Sequence, residues 1–181
     1  MTPTTATSTW NIDPAHSGAE FKVKHMMIAN VRGKFSGISG VLHRVEADHT
    51  QSTLEVSIDV GTLNTLDAQR DGHLKSADFF DVEKFPTMTF KSTHIEKKGD
   101  GFAVTGDLTI RGVTKPVVLN VEEVSEPAKD PWGNTRIGLT ANAKINRKDF
   151  GLTWNTALEA GGVLVGEEVA IALDVQFIKA A

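Results

Sequence analysis

Apolar and polar residues alternate along most of this chain, and this pattern is typical of β-strands with one buried and one solvated face. Five stretches show it clearly, with an apolar residue at nearly every second position; they cover residues 19–27, 54–60, 102–110, 137–145 and 169–177. The sequence therefore predicts a mostly antiparallel β-protein.

Weaker alternation at 31–43, 86–97 and 114–125 raises the predicted number of strands to about eight. The segments Lys98-Gly99-Asp100-Gly101 and Asp130-Pro131-Trp132-Gly133-Asn134 are typical of hairpin turns. In the run 31–43 the glycines Gly33, Gly37 and Gly40 obscure which side chains share a face, and they indicate bulges or bends, as at barrel corners. Eight such strands favour a closed barrel over a sandwich.

Two stretches depart from the strand pattern. Residues 62–80 predict a short helical insertion between the third and fourth strands, with Thr65 as a candidate helix cap. Residues 151–162 predict a helical turn that ends at Gly161-Gly162. Residues 1–9 are expected to be a disordered lead, which leaves one domain over 10–181.

Composition narrows the function classes. A chain of 181 residues buries about 70% of its unfolded surface on folding, which is enough for a sizeable core. The formal net charge of −4 argues against a nucleic-acid binder that works through bulk positive charge. Because cysteine is absent, disulfides, thiol nucleophiles and cysteine-bound metals are excluded.

The sequence contains no apolar run of about 18 residues, so no membrane-spanning helix is expected. The first nine residues carry no Lys or Arg and no apolar core, unlike a secretion signal. A cytoplasmic protein is therefore expected.

No pattern in the sequence indicates catalysis. The six histidines lack metal-ligand spacing, no GxSxG motif is present, and the carboxylates fall mainly on solvated strand faces. We therefore expect neither a metal site nor a cofactor nor an enzymatic function.

Some polar residues follow the apolar register near strand ends. His25 follows Phe21 and Val23, His94 follows Phe90, and Arg147 follows Ile145. Each is either a solvated strand end or a lining residue that meets the polar end of an apolar ligand. A buried arginine needs an acceptor, which for Arg147 is either a carboxylate such as Asp71 or a pyrophosphate or quinone oxygen of a ligand.

The cluster Arg70-Asp71-Gly72-His73 is interpreted either as a salt-bridged helix end or as part of a site. Small residues on the predicted inner face, at Ala19, Gly106, Ala141 and Ala143, leave room for one slim ligand inside a barrel.

Six ordered motifs resemble the YceI-like family. They begin with Trp10-Asn11-Ile12-Asp13-Pro14-Ala15-His16-Ser17 and continue through residues 70–81, 85–93, 106–117, 145–152 and 165–169. The resemblance extends from Trp10 to about Lys179. Within it, His25, Arg70, Asp71, His73 and Arg147 match positions that the family motifs keep.

The resemblance implies a lipocalin-like antiparallel barrel of eight strands, whose interior holds a long polyisoprenoid such as a prenyl quinone or prenyl pyrophosphate. It also implies a homodimer, and the outward-facing Met26, Ile28, Val118 and Val124 could line the contact. Many family members are exported to the periplasm, and from its first nine residues we expect this chain to differ from them in that respect.

We therefore expect non-enzymatic binding and storage or transport of such a lipid, without nucleic acid as a partner. The alternatives are a carrier of fatty acids or other amphiphiles, an enzyme acting on a lipid headgroup, and a filled barrel acting as an interaction module. The candidate ligand-binding residues are those of the inner faces and the polar positions above: Phe21, Val23, His25, Phe35, Val56, Ile58, Arg70, Asp71, His73, Phe79, Phe90, Leu108, Leu139, Arg147, Ile171 and Leu173.

Overall fold

The computed structural model describes residues 5–181, which form eleven strands, one α-helix and four short 3₁₀ helices. The α-helix, α1, spans Ala68–Lys75. The 3₁₀ helices span Pro14–His16, His49–Gln51, Val60–Thr62 and Arg147–Phe150. The strands are β1 (Thr7–Ile12), β2 (Gly18–His25), β3 (Ala29–Phe35), β4 (Ile38–Val45), β5 (Thr53–Asp59), β6 (Thr87–Lys98), β7 (Gly101–Ile110), β8 (Val113–Val124), β9 (Ala128–Lys129), β10 (Thr135–Asn146) and β11 (Val165–Lys179).

Eight strands close into an antiparallel barrel, in the order β11, β1, β4, β5, β6, β7, β8, β10. The ring closes because β11 pairs with β10 from Arg136↔Ile178 to Asn146↔Glu168 and also pairs with β1 at Trp10↔Lys179. Closure removes the free sheet edges that an open sheet would expose. The predicted eight-stranded, lipocalin-like barrel is confirmed.

The strands β2 and β3 form a hairpin that extends the barrel wall. The long strand β11 pairs with β2 from Val165 to Asp174 and with β1 from Phe177 to Lys179. Beyond β2 lies β3, which pairs along its length only with β2 among the described strands. At the bend between β3 and β4, the Gly37 N–H donates to Thr62 Oγ1 at 3.0 Å.

The predicted turns and the helical insertion are present. Lys98 pairs with Gly101 across the β6–β7 hairpin, and Asp130 and Asn134 bracket the turn before β10. Helix α1 lies between β5 and β6, the third and fourth strands counted from the sequence. Its cap is Asp67, whose side chain accepts from the Arg70 N–H, so the prediction of Thr65 as the cap is wrong.

Two further local predictions are corrected. Residues 151–162 contain no helix; an isolated bridge between Ala157 and Val163 and a turn closed from the Gly161 N–H to the Leu158 carbonyl make a small loop instead. Residues 7–9, predicted as part of a disordered lead, belong to β1. The rest of that prediction for residues 1–4 lies outside the described residues.

The buried apolar residues form two clusters along the barrel. The first occupies the middle of the barrel and includes Trp10, Ile38 and Phe177. The second lies where the insertion 60–86 covers one end, and it includes Phe35, Phe79 and Phe150. The two ends of the barrel therefore differ: one is covered by the insertion, and the other is formed by the β4–β5 and β6–β7 connections.

Candidate ligand-binding cavity

The barrel encloses a cavity of about 520 Å³ that is lined mainly by apolar side chains. Its volume lies within the usual range of ligand pockets, about 300–1,000 Å³. The inward side chains of Val56, Leu139, Ile171 and Leu173 remain only partly buried, although they pack against the first cluster. A solidly filled barrel would bury these side chains, so their exposure is to the cavity itself.

Twelve of the sixteen residues predicted as ligand-binding line this cavity. Their direct contact with a ligand stays a prediction. The twelve are Phe21, Val23, Phe35, Val56, Ile58, Phe79, Phe90, Leu108, Leu139, Arg147, Ile171 and Leu173.

Small residues make this space in two ways. Ala19 and Ala141 line the cavity directly, because their short side chains leave volume open. Gly33 and Gly106 instead lie beneath aromatic rings: an added Cβ would lie 2.2 Å from Phe21 Cζ and 2.4 Å from Phe90 Cζ, respectively. These two glycines therefore let Phe21 and Phe90 lie flat against the wall.

The insertion seals one end of the cavity with aromatic residues. Phe79 and Phe80 line the cavity there, together with Phe150. The Phe80 ring meets Phe35 edge-on at a centroid distance of 5.8 Å, a favourable arrangement for two aromatic rings. The insertion is thus part of the cavity wall.

Arg147 is buried at this same end, 4% exposed, and all its observed partners are backbone carbonyls. Its guanidinium donates to Leu152 O at 2.6 Å, Gly166 O at 2.7 Å, Trp154 O at 2.9 Å and Val165 O at 3.2 Å. Burial lowers the pKa of this guanidinium, although arginine stays protonated in proteins.

In place of Asp71 or a ligand oxygen, the two partners considered for it, Arg147 therefore binds four carbonyls, two in the β10–β11 connection and two at the start of β11. The side chain of Arg147 lines the cavity, and the hydrogen bonds of its charged guanidinium stabilise that connection.

Four predicted site residues lie away from the cavity wall, and local contacts explain their positions. The guanidinium of Arg70 donates to Thr65 Oγ1 at 2.8 Å and Thr65 O at 2.7 Å. Asp71 accepts from the Thr65 N–H at 2.9 Å. Both residues thus fix the start of α1 and lie outside the cavity lining. They do so through Thr65, and no direct ion pair between them is present in the described part of the chain.

The two histidines also have structural surroundings. His73 contacts Asp78 Oδ2 at 2.9 Å and packs edge-on against Trp154 at 4.7 Å between ring centroids. His25 ends β2, where it pairs with Ala29 and Val165. His73 therefore ties the insertion to the β10–β11 connection, and His25 belongs to the hairpin end.

Polar residues collect at the opposite end of the cavity, and sequence reasoning missed them. This polar rim consists of Arg44, His49, Ser52, Lys97, Asp100, Ser125 and Glu126. Arg44 Nη2 lies 3.4 Å from His49 Nε2, and its guanidinium carbon lies 5.8 Å from the centroid of the Trp10 ring.

Of these rim residues, Arg44 was predictable from the sequence and Lys97 was not. Arg44 follows Ile38 and Leu42 at period two. On β6 the register shifts between Ser92 and His94, so that Ile95 and Lys97 face inward. His94 was predicted to share the face of Phe90, but its side chain is 67% exposed and lies 3.9 Å from Glu96.

Within residues 5–181, no group of three or more His, Asp or Glu side chains is placed to hold a metal ion. In the same residues, no helix is long and apolar enough to cross a membrane.

A closed antiparallel barrel around an apolar cavity defines the class of lipocalin-like barrels, whose interior can hold one small ligand. The YceI-like domain model matches residues 10–177, and the chain belongs to this family.

Three known proteins illustrate the similarity. A UPF0312 protein of Photorhabdus laumondii is 41% identical over 140 residues, which are 77% of this chain and 72% of that protein. The crystal structure of Burkholderia cenocepacia BcnA superposes with a TM-score of 0.78 at 25% identity, covering 91% of this chain and 98% of that one. A polyisoprenoid binding domain from Saccharophagus degradans, 17% identical, shares the fold with a TM-score of 0.65 and coverage of 94% and 98%.

Proposed function

We propose that this protein binds a long-chain polyisoprenoid lipid inside the barrel and stores or transports it without chemical change. The observation that carries the proposal is the 520 Å³ apolar cavity that runs between the aromatic end and the polar rim. Ligand efficiency for large ligands has a ceiling of about 0.3 kcal/mol per heavy atom, so a chain of about 40 carbons would gain at most about 12 kcal/mol, which corresponds to nanomolar affinity. Retention then requires no covalent chemistry and no cofactor.

The polar rim suggests the orientation of the ligand. An apolar pocket usually fixes its ligand through a few polar groups at one end. Arg147 is fully engaged with carbonyls at the aromatic end, whereas Lys97 at the rim has no ion pair among the described residues. We therefore place the headgroup, a pyrophosphate or quinone, at the rim and the isoprenoid tail toward Phe79.

Organic extraction of the purified protein, followed by mass measurement, tests the ligand class. The expected result is a prenyl quinone or prenyl pyrophosphate in near-stoichiometric amount. Recovery of fatty acids only would favour the alternative carrier, and modification of an added prenyl substrate over time would indicate an enzyme. An empty protein that also fails to bind an added prenyl chain would contradict the proposal.

A substitution at the rim tests the orientation. We expect Lys97→Ala to weaken binding of a prenyl pyrophosphate by about 1 kcal/mol, since a partly solvated charged contact is lost, and to leave binding of the matching prenol unchanged. The control is Lys91→Ala on the outer face of the same strand, where Lys91 Nζ lies 3.5 Å from Glu55. An unchanged affinity of the Lys97 variant for the prenyl pyrophosphate, or the same loss of affinity for both ligands, would place the headgroup away from this residue.

The homodimer and the cytoplasmic location that were expected from the sequence stay proposals. Val118 is 47% exposed on the outer face of β8 and remains a candidate contact residue, whereas Val124 lines the rim end of the cavity. Light scattering at micromolar concentration and cell fractionation test the two proposals respectively.

A further inference from the structure

The turn of the β2–β3 hairpin exposes large apolar side chains. Met26, Met27 and Ile28 are 44%, 62% and 81% exposed. The Met26 N–H donates to Leu164 O at 2.7 Å, and Met27 Sδ lies against Gly162, which brings the 37% exposed Val163 beside the turn. We call Met26, Met27, Ile28 and Val163 the apolar tip.

The backbone of this turn makes the two methionines unfavourable choices. Met26 and Met27 have φ values of 53° and 61°, and the Ile28 N–H closes the turn on His25 O at 3.2 Å. Three residues, 26–28, connect His25 to its partner Ala29. The tight turn within this loop has positive φ at both central positions, a conformation that Asn and Gly favour. Strained backbone and exposed apolar surface together indicate that these side chains are there to meet something outside the folded chain.

The outer face of the same hairpin is basic. Lys22 pairs with Arg32 across the two strands, and Lys24 and Lys34 lie on the same face. Glu20, opposite Lys34, is the one acidic residue of β2 and β3. Four basic residues and one acidic residue give this hairpin a formal charge of +3, in a chain whose net charge is −4.

These basic side chains are not neutralised by their neighbours. No ion pair within 5–181 involves Lys22, Lys24, Arg32 or Lys34. Two acidic residues of the neighbouring strand β11 pair elsewhere: Glu167 with Lys148 at 2.7 Å and Glu168 with Lys144 at 3.6 Å. The third, Asp174, lies opposite Gly18, at the end of β2 away from the tip, and belongs to no ion pair among the described residues.

We propose that this hairpin docks the protein on anionic phospholipid bilayers, with the apolar tip inserted at the membrane interface and the basic strands against the phosphate groups. Interfacial binding gains from buried apolar area and from basic residues close to an anionic surface. A stable protein interface engages about 20–30 residues a side, and the tip offers four. A bilayer is therefore the partner that fits the tip.

The docking face is directly coupled to the cavity wall. Phe21 and Val23 line the cavity from the inner face of β2, and Lys22 and Lys24, which alternate with them along the strand, point outward. A docked hairpin thus brings one wall of the cavity to the bilayer surface. The inference concerns the outer surface and does not depend on which ligand the cavity holds.

Sedimentation with vesicles tests the proposal on the full chain. We expect binding to vesicles of equal parts phosphatidylglycerol and phosphatidylcholine in 0.1 M salt. Binding should fall about tenfold or more on pure phosphatidylcholine, or in 1 M salt, where the Debye length shrinks to about 3 Å.

Two variants separate the tip from the charges. Met26→Asn/Met27→Gly gives the turn residues that suit its φ angles, so we expect an equal or higher melting temperature together with at least about tenfold weaker vesicle binding. Lys24→Glu/Arg32→Glu should weaken binding to the anionic vesicles by about 25-fold or more, at about fivefold for each basic residue removed.

Matched controls lie outside the hairpin. Trp132, 80% exposed in the turn before β10, supplies Trp132→Ser, and the exposed Lys115 and Lys129 supply Lys115→Glu/Lys129→Glu. Both should bind the anionic vesicles like the unchanged protein. All variants should contain equal amounts of lipid when extracted. A failure of the vesicle-binding proposal is therefore distinguishable from a failure of the proposed ligand.

Three results would overturn the proposal. The first is absence of binding to the anionic vesicles by the unchanged protein. The second is unchanged binding by a folded Met26→Asn/Met27→Gly variant. The third is a dimer that this variant abolishes in light scattering, with no vesicle binding in either form, because the tip would then be a contact between two copies.

Discussion

Arg147 connects the barrel wall to the loop that leads into its longest strand. Its four carbonyl acceptors belong to residues 152–166, a stretch without regular structure until β11 begins. Buried carbonyls left without donors cost about 1–3 kcal/mol each. Arg147 thus binds the carbonyls of Leu152 and Trp154, which belong to no helix or strand, and two carbonyls at the start of β11, one of which, Val165 O, also accepts from Asn155 Nδ2 at 2.7 Å.

We expect Arg147→Ala to lower the free energy of unfolding by about 3–5 kcal/mol, because it leaves several buried carbonyls unsatisfied and opens a void. Arg147→Lys should recover only part of the loss, since an ammonium cannot reach all four oxygens. Urea unfolding measures the free energy of unfolding of the two variants, each with its lipid bound and after the lipid has been extracted. If a variant kept full stability but lost the ligand, Arg147 would have to be assigned to the binding site of the headgroup.

At the level of single residues, the sequence predicted the lining better than it predicted the polar contacts. The inward orientation of residues such as Phe21, Val56 and Leu173 follows from the two-residue period of a strand. A one-residue slip in pairing would turn every side chain of the strand to the opposite face. The partners of Arg70 and Arg147 are backbone oxygens, which every residue carries, so residue type gives no signal for them. Arg44 was within reach of the same register argument that identified the apolar lining.

Among the elements, Arg136 of β10 joins three separate parts of the chain. Its Nη1 donates to Asp13 Oδ2 at 2.6 Å, beside the bend between β1 and β2, and its Nε donates to Asp130 Oδ2 at 2.7 Å, in the turn before β10. The hydrogen bonds from Arg136 lower the pKa of Asp13 and that of Asp130 to about 2 each, and His16 contributes to the shift at Asp13.

This network predicts a pH dependence of stability. Both carboxyl pKa values are lowered in the folded state, so their contribution is fully present above about 3.9, the ordinary aspartate value, and is lost as pH falls toward 2. The free energy of unfolding should therefore drop between pH 5 and pH 2. In Arg136→Ala this drop should be smaller, because the folded-state pKa values return toward the ordinary value.

Urea unfolding at several pH values measures the effect. The control is Lys91→Ala, which removes an exposed pair with Glu55 at 3.5 Å and should leave the acid dependence unchanged. The same slope in Arg136→Ala and in the unchanged protein would show that other carboxyl groups cause the acid sensitivity.

Element types were predicted well where periodicity was uninterrupted and poorly where tertiary contacts decide. The bulge in β6 between Ser92 and His94 moved Lys97 inward and His94 outward, and no residue type marks its position. In residues 151–162 the alanines and the Leu158-Glu159 pair favoured a helix. The carbonyls of Leu152 and Trp154 are instead bound by Arg147, so they do not accept the hydrogen bonds of a helix.

At the scale of the whole molecule, one closed wall determines both the stability of the fold and the space available to the proposed ligand. The pairing of β11 with β10 and β1 fixes the diameter of the barrel, and the small inward residues decide how much of the interior stays open. An interior filled by one larger side chain should keep the same wall while excluding the ligand.

Ala141→Phe makes this change, because Ala141 lines the cavity opposite Leu173 on the paired strand. We expect the variant to fold, with a cost of at most about 1–3 kcal/mol from overpacking, and to contain little extractable lipid. Without bound lipid it should also lose the ligand-linked part of its stability, about 2.7 kcal/mol when free ligand is at 100 times its Kd.

The matched control is Ala172→Phe, the same change on the outer face of β11, directly across from Asn142. The amount of extracted lipid is measured for both variants and the unchanged protein. Their melting temperatures are compared before and after removal of the lipid. If Ala141→Phe retained as much lipid as Ala172→Phe, the ligand would have to bind outside the barrel. If only the lipid-loaded melting temperature of Ala141→Phe falls, then the cavity is the binding site and the barrel wall folds independently of what fills it.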